Sequence, residues 1–372
     1  MIHILSQHIA KGSYTPWYKI INFNEPHLFH EFEDNQIVEK KLIGEPPYID
    51  LFVNKLNEIS PSNGDIIMFD VDYLYDSKYT YEEFYDFINK LSTKYNNCKF
   101  VMFEDDSTFE YIDTKTFTIF SNKFNKEENV SNYNLNCNYF RYRNQHQDFF
   151  KSVKDVVNIF KQNIRQKKTN LIVGVDKKER LQILKYFYKI GLDSDSWIGY
   201  SAFNSNYTDS EISDELLKFK KEKLPIIIDT PFKKSCEGNV NVEIPPLPLT
   251  MTSYVSCILE TSIIEGDTIH LSEKSWNPFV SQNIPLILGS SYINEYLQDI
   301  GFWLAHELFD LKPKLNKSDI IQQYMNNLNI INNMSYSQLH QFYLKNQAKI
   351  SQNFRLLEHE NNTFIYNSNL YK

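Results

Sequence analysis

The residue types that could do chemistry gather between 254 and 302. The apolar run Tyr254-Val-Ser-Cys-Ile-Leu259 ends on a carboxylate, Glu260, followed by Thr261-Ser262. A short loop leads through Ile269-His270-Leu271 into Ser272-Glu273-Lys274-Ser275-Trp276. Ile284-Pro-Leu-Ile-Leu-Gly289 and Ile300-Gly301-Phe302 close the stretch. Ser272 suits the position before a helix, where its hydroxyl accepts an otherwise unpaired backbone N–H. The first N–H groups of such a helix carry partial positive charge and suit an anion. Lys274 adds a full charge beside them, so the group as a whole suits a diphosphate. Ionised Glu260 and Glu273 only accept hydrogen bonds, which suits a diol such as that of ribose. Taken alone, Ser-Glu-Lys reads first as the start of an ordinary surface helix with an exposed ion pair.

Three further clusters carry charge at strand ends. The apolar run Asn170-Leu-Ile-Val-Gly174 precedes Asp176-Lys-Lys-Glu-Arg180. The fork of Arg180 can grip phosphate at two points, which Lys177 and Lys178 cannot; a solvated basic helix start reads the same residues as well. Asp70-Val-Asp72 follows Ile-Ile-Met-Phe, and Glu104-Asp105-Asp106 follows Phe-Val-Met-Phe. Strand-end carboxylates cap helices, hold divalent cations or take a proton from a hydroxyl. Glu104, Asp70 and Asp72 are candidates for that last role, and the sequence does not separate them.

The elements that must position these groups form two α/β halves. Residues 2–5, 65–69 and 99–103 read as strands, with a helix over 80–95 presenting Phe84, Phe87, Ile88 and Leu91. That βαβ order implies a parallel sheet. A helix over 148–165 and the basic run Arg165–Lys168 mark a boundary. A second α/β pattern follows, with strands at 170–174, 224–229, 254–259 and 285–288, a helix over 177–190, and a last helix over 336–358. The expected organisation is a first domain over 1–165, a second over 166–335, and a terminal segment over 336–372 that packs back on the first.

The chain has 372 residues, 42% hydrophobic, which suffices for two cores. Its net charge of −8 supplies no global basic footprint for nucleic acid. Four scattered cysteines include no CxxC pair, so no zinc site is expected. No long apolar run predicts a membrane span, and the amino terminus lacks a signal-peptide pattern; a soluble, cytoplasmic protein is expected.

The order Glu260-Thr-Ser, loop, Ser272-Glu-Lys-Ser-Trp276, Ile-Pro-Leu-Ile-Leu-Gly289, Ile-Gly-Phe302 resembles the carboxyl-terminal signature of fucosyltransferase-like glycosyltransferases. The resemblance covers about 50 residues directly and implies a GT-B fold, two Rossmann-like domains facing a cleft. It implies a nucleoside diphosphate sugar as donor, held by Arg180, Glu260, Ser272, Glu273 and Lys274, with the acceptor on the first domain. No cofactor and no metal are implied; Asp70-Val-Asp72 is the one pattern that fits the metal-dependent GT-A alternative. The implied acceptor is a glycan hydroxyl or, as in some bacteriophage enzymes, a modified DNA base. Thr261, Ser272 and His270 stand where the family has Asn, Thr and Tyr. These departures also admit a nucleotide-sugar-binding protein without catalysis.

Overall fold

The computed structural model describes residues 2–7, 27–32, 56–70, 81–104, 117–121, 123–125, 163–203, 208–226, 247–260, 262–266, 268–313 and 315–359. They fall into two compact units, 1–145 with 360–372, and 146–359.

The first unit carries five parallel strands: β1 (Ile2–Gln7), β2 (His27–Phe32), β3 (Ile66–Asp70), β4 (Lys99–Glu104) and β5 (Phe117–Ser121). Their spatial order is β2-β1-β3-β4-β5. Helix α1 (Tyr81–Lys94) links β3 to β4 and buries Leu91. Ile67 and Phe100 are buried on the strands themselves. At the amino edge, His3 Nε2 meets Asp65 Oδ2 at 3.1 Å, and the Ser62 N–H donates to the same oxygen at 2.7 Å.

The second unit carries β6 (Lys167–Val175), β7 (Ser196–Phe203), β8 (Ser253–Leu259) and β9 (Ile284–Leu288), all parallel, in the order β9-β8-β6-β7. Alternate side chains such as Leu171, Val173, Cys257 and Leu286 pack with Leu181, Leu184 and Phe187 of α2 (Lys178–Lys189). Helix α3 (Asp214–Lys223) packs beside α2, and Ser213 caps its start by accepting the Leu216 N–H. The short helix α4 (Asn277–Val280) packs on β8 and β9, and α5 (Ile293–Asp299) follows β9. Helix α6 (Lys317–Asn333) lies on α2 and β9, α7 (Tyr336–Lys345) touches β8, and α8 (Gln347–His359) touches α4. Among the described residues, no helix is long and apolar enough to cross a membrane.

Several expectations meet a different outcome. The helix over 336–358 is two helices, broken at Asn346, whose buried side-chain amide donates to the Phe342 carbonyl. Leu339, Tyr343 and Ile350 of these helices enter the core of the second unit. Up to His359 the segment therefore groups with that unit, and residues 360–372 group with the first. The strand expected over 224–229 is, among described residues, one antiparallel bridge between Ile226 and Tyr200. The helix expected over 148–165 lies outside the described residues except at its last positions.

Arg165, placed in a basic linker by the sequence, is buried at 4% exposure. Its Nη1 donates to the Ser253 carbonyl and Asn283 Oδ1, and its Nη2 to the Tyr343 hydroxyl at 2.6 Å and the Gln282 carbonyl at 3.3 Å. The guanidinium lies 4.3 Å from the Tyr343 ring centre. One side chain thus joins the amino ends of β6 and β8, the turn before β9, and α7. Replacing it would leave several buried oxygens unpaired, at about 1–3 kcal/mol each. Arg165→Met is therefore expected to cost the second unit about 3 kcal/mol or more. Tryptophan fluorescence in a urea titration would measure this, since Trp197, Trp276 and Trp303 all lie in that unit.

Candidate functional site

Strand order decides where a ligand can sit. From β6 the chain steps outward to β7, then crosses back to place β8 on the other side of β6, with β9 beyond it. The carboxyl ends of β6 and β8 are therefore the switch point of this sheet, where the following loops diverge and leave a crevice. The two loops are those that the sequence marks: Gly174–Arg180 after β6 and Glu260 onward after β8.

Glu260 follows β8 directly and is 1% exposed. Its N–H donates to the Leu288 carbonyl at 2.8 Å, which prolongs the ladder with β9. Its Oε1 accepts the Ser272 N–H at 3.2 Å and the Ser275 hydroxyl. Its Oε2 lies 3.9 Å from His270 Nδ1. Burial raises the carboxyl pKa, but His270, the Lys274 charge and the hydrogen bonds of Ser272 and Ser275 outweigh it and hold the group below the usual range. Gly289 gives the side chain room: a Cβ there would stand 3.2 Å from Glu260 Cγ and 2.9 Å from Ile293 Cδ1.

What Glu260 organises is a tight turn. Ser272 to Trp276 forms a 3-10 turn that runs into the single α turn of α4. The helix expected from Ser-Glu-Lys is this 3-10 turn and one α turn, because Pro278 opens a fresh turn and Gln282, at φ 49°, ends it. Ser272 acts as the expected cap, with its hydroxyl accepting the Lys274 N–H at 3.3 Å. Lys274 Nζ lies 3.5 Å from the same hydroxyl. Trp276 and Phe279 are 1% and 0% exposed and meet Phe302 at ring-centre distances of 5.8 and 4.4 Å. These aromatics, of which Trp276 and Phe302 belong to the sequence signature, fasten the turn to the core, each worth about 1.5–3 kcal/mol of burial.

On the β6 side, Arg180 is 2% exposed. Its Nη2 donates to the carbonyls of Leu259 and Glu260 at 3.0 and 2.8 Å, so it reaches from α2 and grips the end of β8. Asp176, fully buried, accepts the Tyr200 hydroxyl at 2.7 Å and meets Lys220 Nζ at 3.2 Å. The β6–β7 register slips nearby, from Val173↔Tyr200 to Val175↔Phe203, as bulges beside sites often do.

The structure thus brings Glu260, Ser272 and Lys274 together, with Arg180 on the backbone of Glu260. Glu273 opens the turn. His270, Ser275, Gly289 and Asp176 are additions that sequence reasoning did not single out for a role. In the other unit, Asp70 ends β3 and Glu104 ends the neighbouring β4, with Asp70 in register with Phe103. The switch point of that sheet lies between β1 and β3, so Asp70 stands at it and Glu104 one strand away. Asp72 lies outside the described residues.

The depressed pKa of Glu260 makes a signed prediction. Its contribution is fully present above the unfolded value, about 4.3, and is lost as pH falls through the lower folded value. The stability gap between this chain and Glu260→Gln should be widest near pH ~7 and close below about pH 4. Urea titrations across that range would test it, and a constant gap would remove the carboxylate charge as the cause.

No family model matches the chain, and no curated protein matches it. Among solved structures, it is similar to a UDP-forming α,α-trehalose-phosphate synthase from Burkholderia xenovorans, at 13% identity over 84% of this chain and 75% of that one, with a TM-score of 0.36. It is also similar to an E. coli structure described as trehalose-6-phosphate bound with UDP-2-fluoro glucose, at 10% identity over 98% of both chains, TM-score 0.43. A third similar structure is an α1,3-fucosyltransferase, at 10% identity over 92% of this chain and 88% of that one, TM-score 0.39.

Proposed function

We propose that the chain is a glycosyltransferase of GT-B type, which moves a sugar from a nucleoside diphosphate donor to an acceptor hydroxyl. The observation that carries this reading is the buried Glu260 carboxylate at the switch point, which shapes the Ser272–Trp276 turn and keeps Lys274 beside it. A crevice at strand carboxyl ends is where open α/β sheets take nucleotides. The sequence signature around the same residues supports a sugar donor.

In this reading the bond from sugar to diphosphate breaks through an oxocarbenium-like transition state. Negative charge grows on the departing diphosphate, and the Lys274 ammonium meets it. Ser272 and Glu273 contact the donor, while Glu260 and Arg180 act from beneath. The acceptor hydroxyl gives its proton to a carboxylate of the first unit. Asp70 is the first candidate, by its place at the switch point, ahead of Glu104 and Asp72. A single displacement of this kind inverts the sugar carbon and needs no metal. The acceptor is a glycan in the first place, since the net charge of −8 offers little to DNA phosphates.

Lys274→Ala is expected to lower turnover by roughly 10²–10³-fold, the scale for removing one such electrostatic group. Radiolabelled donor hydrolysis or transfer would measure it with a panel of nucleotide sugars; a folded variant with near-normal turnover would sink the assignment. Nucleotide binding without transfer or hydrolysis on a broad acceptor array would favour a binding protein instead. Turnover should also survive EDTA, because protein cations and not a metal meet the phosphate charge. Loss in EDTA restored by Mn²⁺ or Mg²⁺ would move the donor to the Asp70–Asp72 cluster.

A further inference from the structure

We propose that Asp176 and Arg180 are positioning residues that hold the β6 lip of the crevice and so set how the donor diphosphate is seated; this rests on the donor reading above. The lip is the short segment between Val175, where β6 ends, and the first turn of α2. It is tied in two opposite directions.

Asp176 ties it away from the crevice. Its carboxylate, at 0% exposure, meets the Tyr200 hydroxyl on β7 at 2.7 Å and Lys220 Nζ in the last turn of α3 at 3.2 Å. Arg180, one helical turn later, ties it across the crevice through the Leu259 and Glu260 carbonyls. The residue whose carbonyl Arg180 holds is the one whose carboxylate shapes the Ser272 turn. A continuous line of charge-assisted bonds therefore runs from Lys220 through Asp176, the lip, Arg180 and Glu260 to the turn that carries Lys274.

Burial and hydrogen bonding favour positioning over direct contact. At 2% exposure, Arg180 offers a dissolved phosphate little surface, its Nη2 is committed to two carbonyls, and leaving buried acceptors unpaired is costly. A buried ion pair is often no more stabilising than an apolar pair of the same shape. The Asp176–Lys220 pair is therefore explained better by where it fixes the chain than by stability. Misplacing a group at a reacting centre by a small distance carries a large effect.

The test uses the full chain, the double variant D176N/K220M, Arg180→Met and Arg180→Lys. The double variant removes both charges of the pair, so neither is left buried alone. Each is titrated calorimetrically with UDP, GDP, ADP, CDP and dTDP, and its thermal melting is recorded. The expected result is a nucleotide affinity lowered by about 10-fold or more in D176N/K220M at a melting temperature close to the parent's. Arg180→Met should match it, and Arg180→Lys should recover part of the affinity. Donor KM should rise with kcat less affected, opposite to the pattern for Lys274→Ala. Unchanged affinity in folded D176N/K220M or folded Arg180→Met would overturn the positioning role and leave the donor reading intact. If both fail to fold, Arg180→Lys decides, and full affinity there overturns it. A parent chain that binds none of the five diphosphates overturns the donor reading and this inference together.

Discussion

A buried carboxylate has to be satisfied where it stands, and Glu260 is the constraint on which the second unit's site depends. An ionised carboxylate out of water is tolerated only with partners. Here they are a backbone N–H, a hydroxyl, an imidazole and a nearby ammonium, all from the segment 270–275. Satisfying the charge and building the turn are the same event. The turn is too short to rely on accumulated helix dipole, so the carboxylate, the cap hydroxyl and the aromatic anchors define it. Gly289 belongs to the same constraint, because a Cβ after the next strand would crowd Glu260, at 3.2 Å from its Cγ and 3.3 Å from its Cβ.

The topology explains why this charge is useful at that place. Both sheets begin with a central strand and wind outward in both directions, so each has one point where neighbouring loops part. In the second sheet, the loops that part carry Asp176 and Arg180 on one side and Glu260 on the other. Polar groups gather there because the strands are otherwise covered by apolar helices. The same winding in the first sheet sets Asp70 at its own parting point.

Much of this was legible in the sequence, for physical reasons that also explain the rest. An apolar run ending in a carboxylate marks a buried strand and its exit, and β8 with Glu260 stands where that pattern puts it. Strand β7, Ser-Trp-Ile-Gly-Tyr-Ser-Ala-Phe, escapes the sequence reading because small and polar residues interrupt it and its one parallel neighbour, β6, supplies its order. Helix α6 was missed among its many Asn and Gln residues, although Ile320, Tyr324, Leu328 and Ile331 keep a helical spacing. Arg180 shows the limit of reading charge alone. As a basic residue at a helix start it suggests phosphate, yet with Ile183, Leu184 and Phe187 it lies on the buried face of α2. That spacing was the signal that it points inward. The partners of Arg165 are distant in sequence, and no local pattern could announce them.

Arg165 and Glu260 stand at opposite ends of the same sheet, and they answer acid differently. Among the described residues no carboxylate touches Arg165; its charge rests on carbonyls, an amide, a hydroxyl and two ring faces. Burial pulls its pKa down, opposed by Tyr343 and Tyr254, but a guanidinium keeps its proton throughout the range in which proteins fold. The carbonyls and the amide oxygen that accept from it stay uncharged as a solution is made acidic. The grip of the guanidinium at the amino end therefore persists, while the carboxyl end loses its organising charge. Acid would loosen this unit from the carboxyl edge of the sheet downward, and the turn bearing Lys274 would part from the sheet before the strands part from one another.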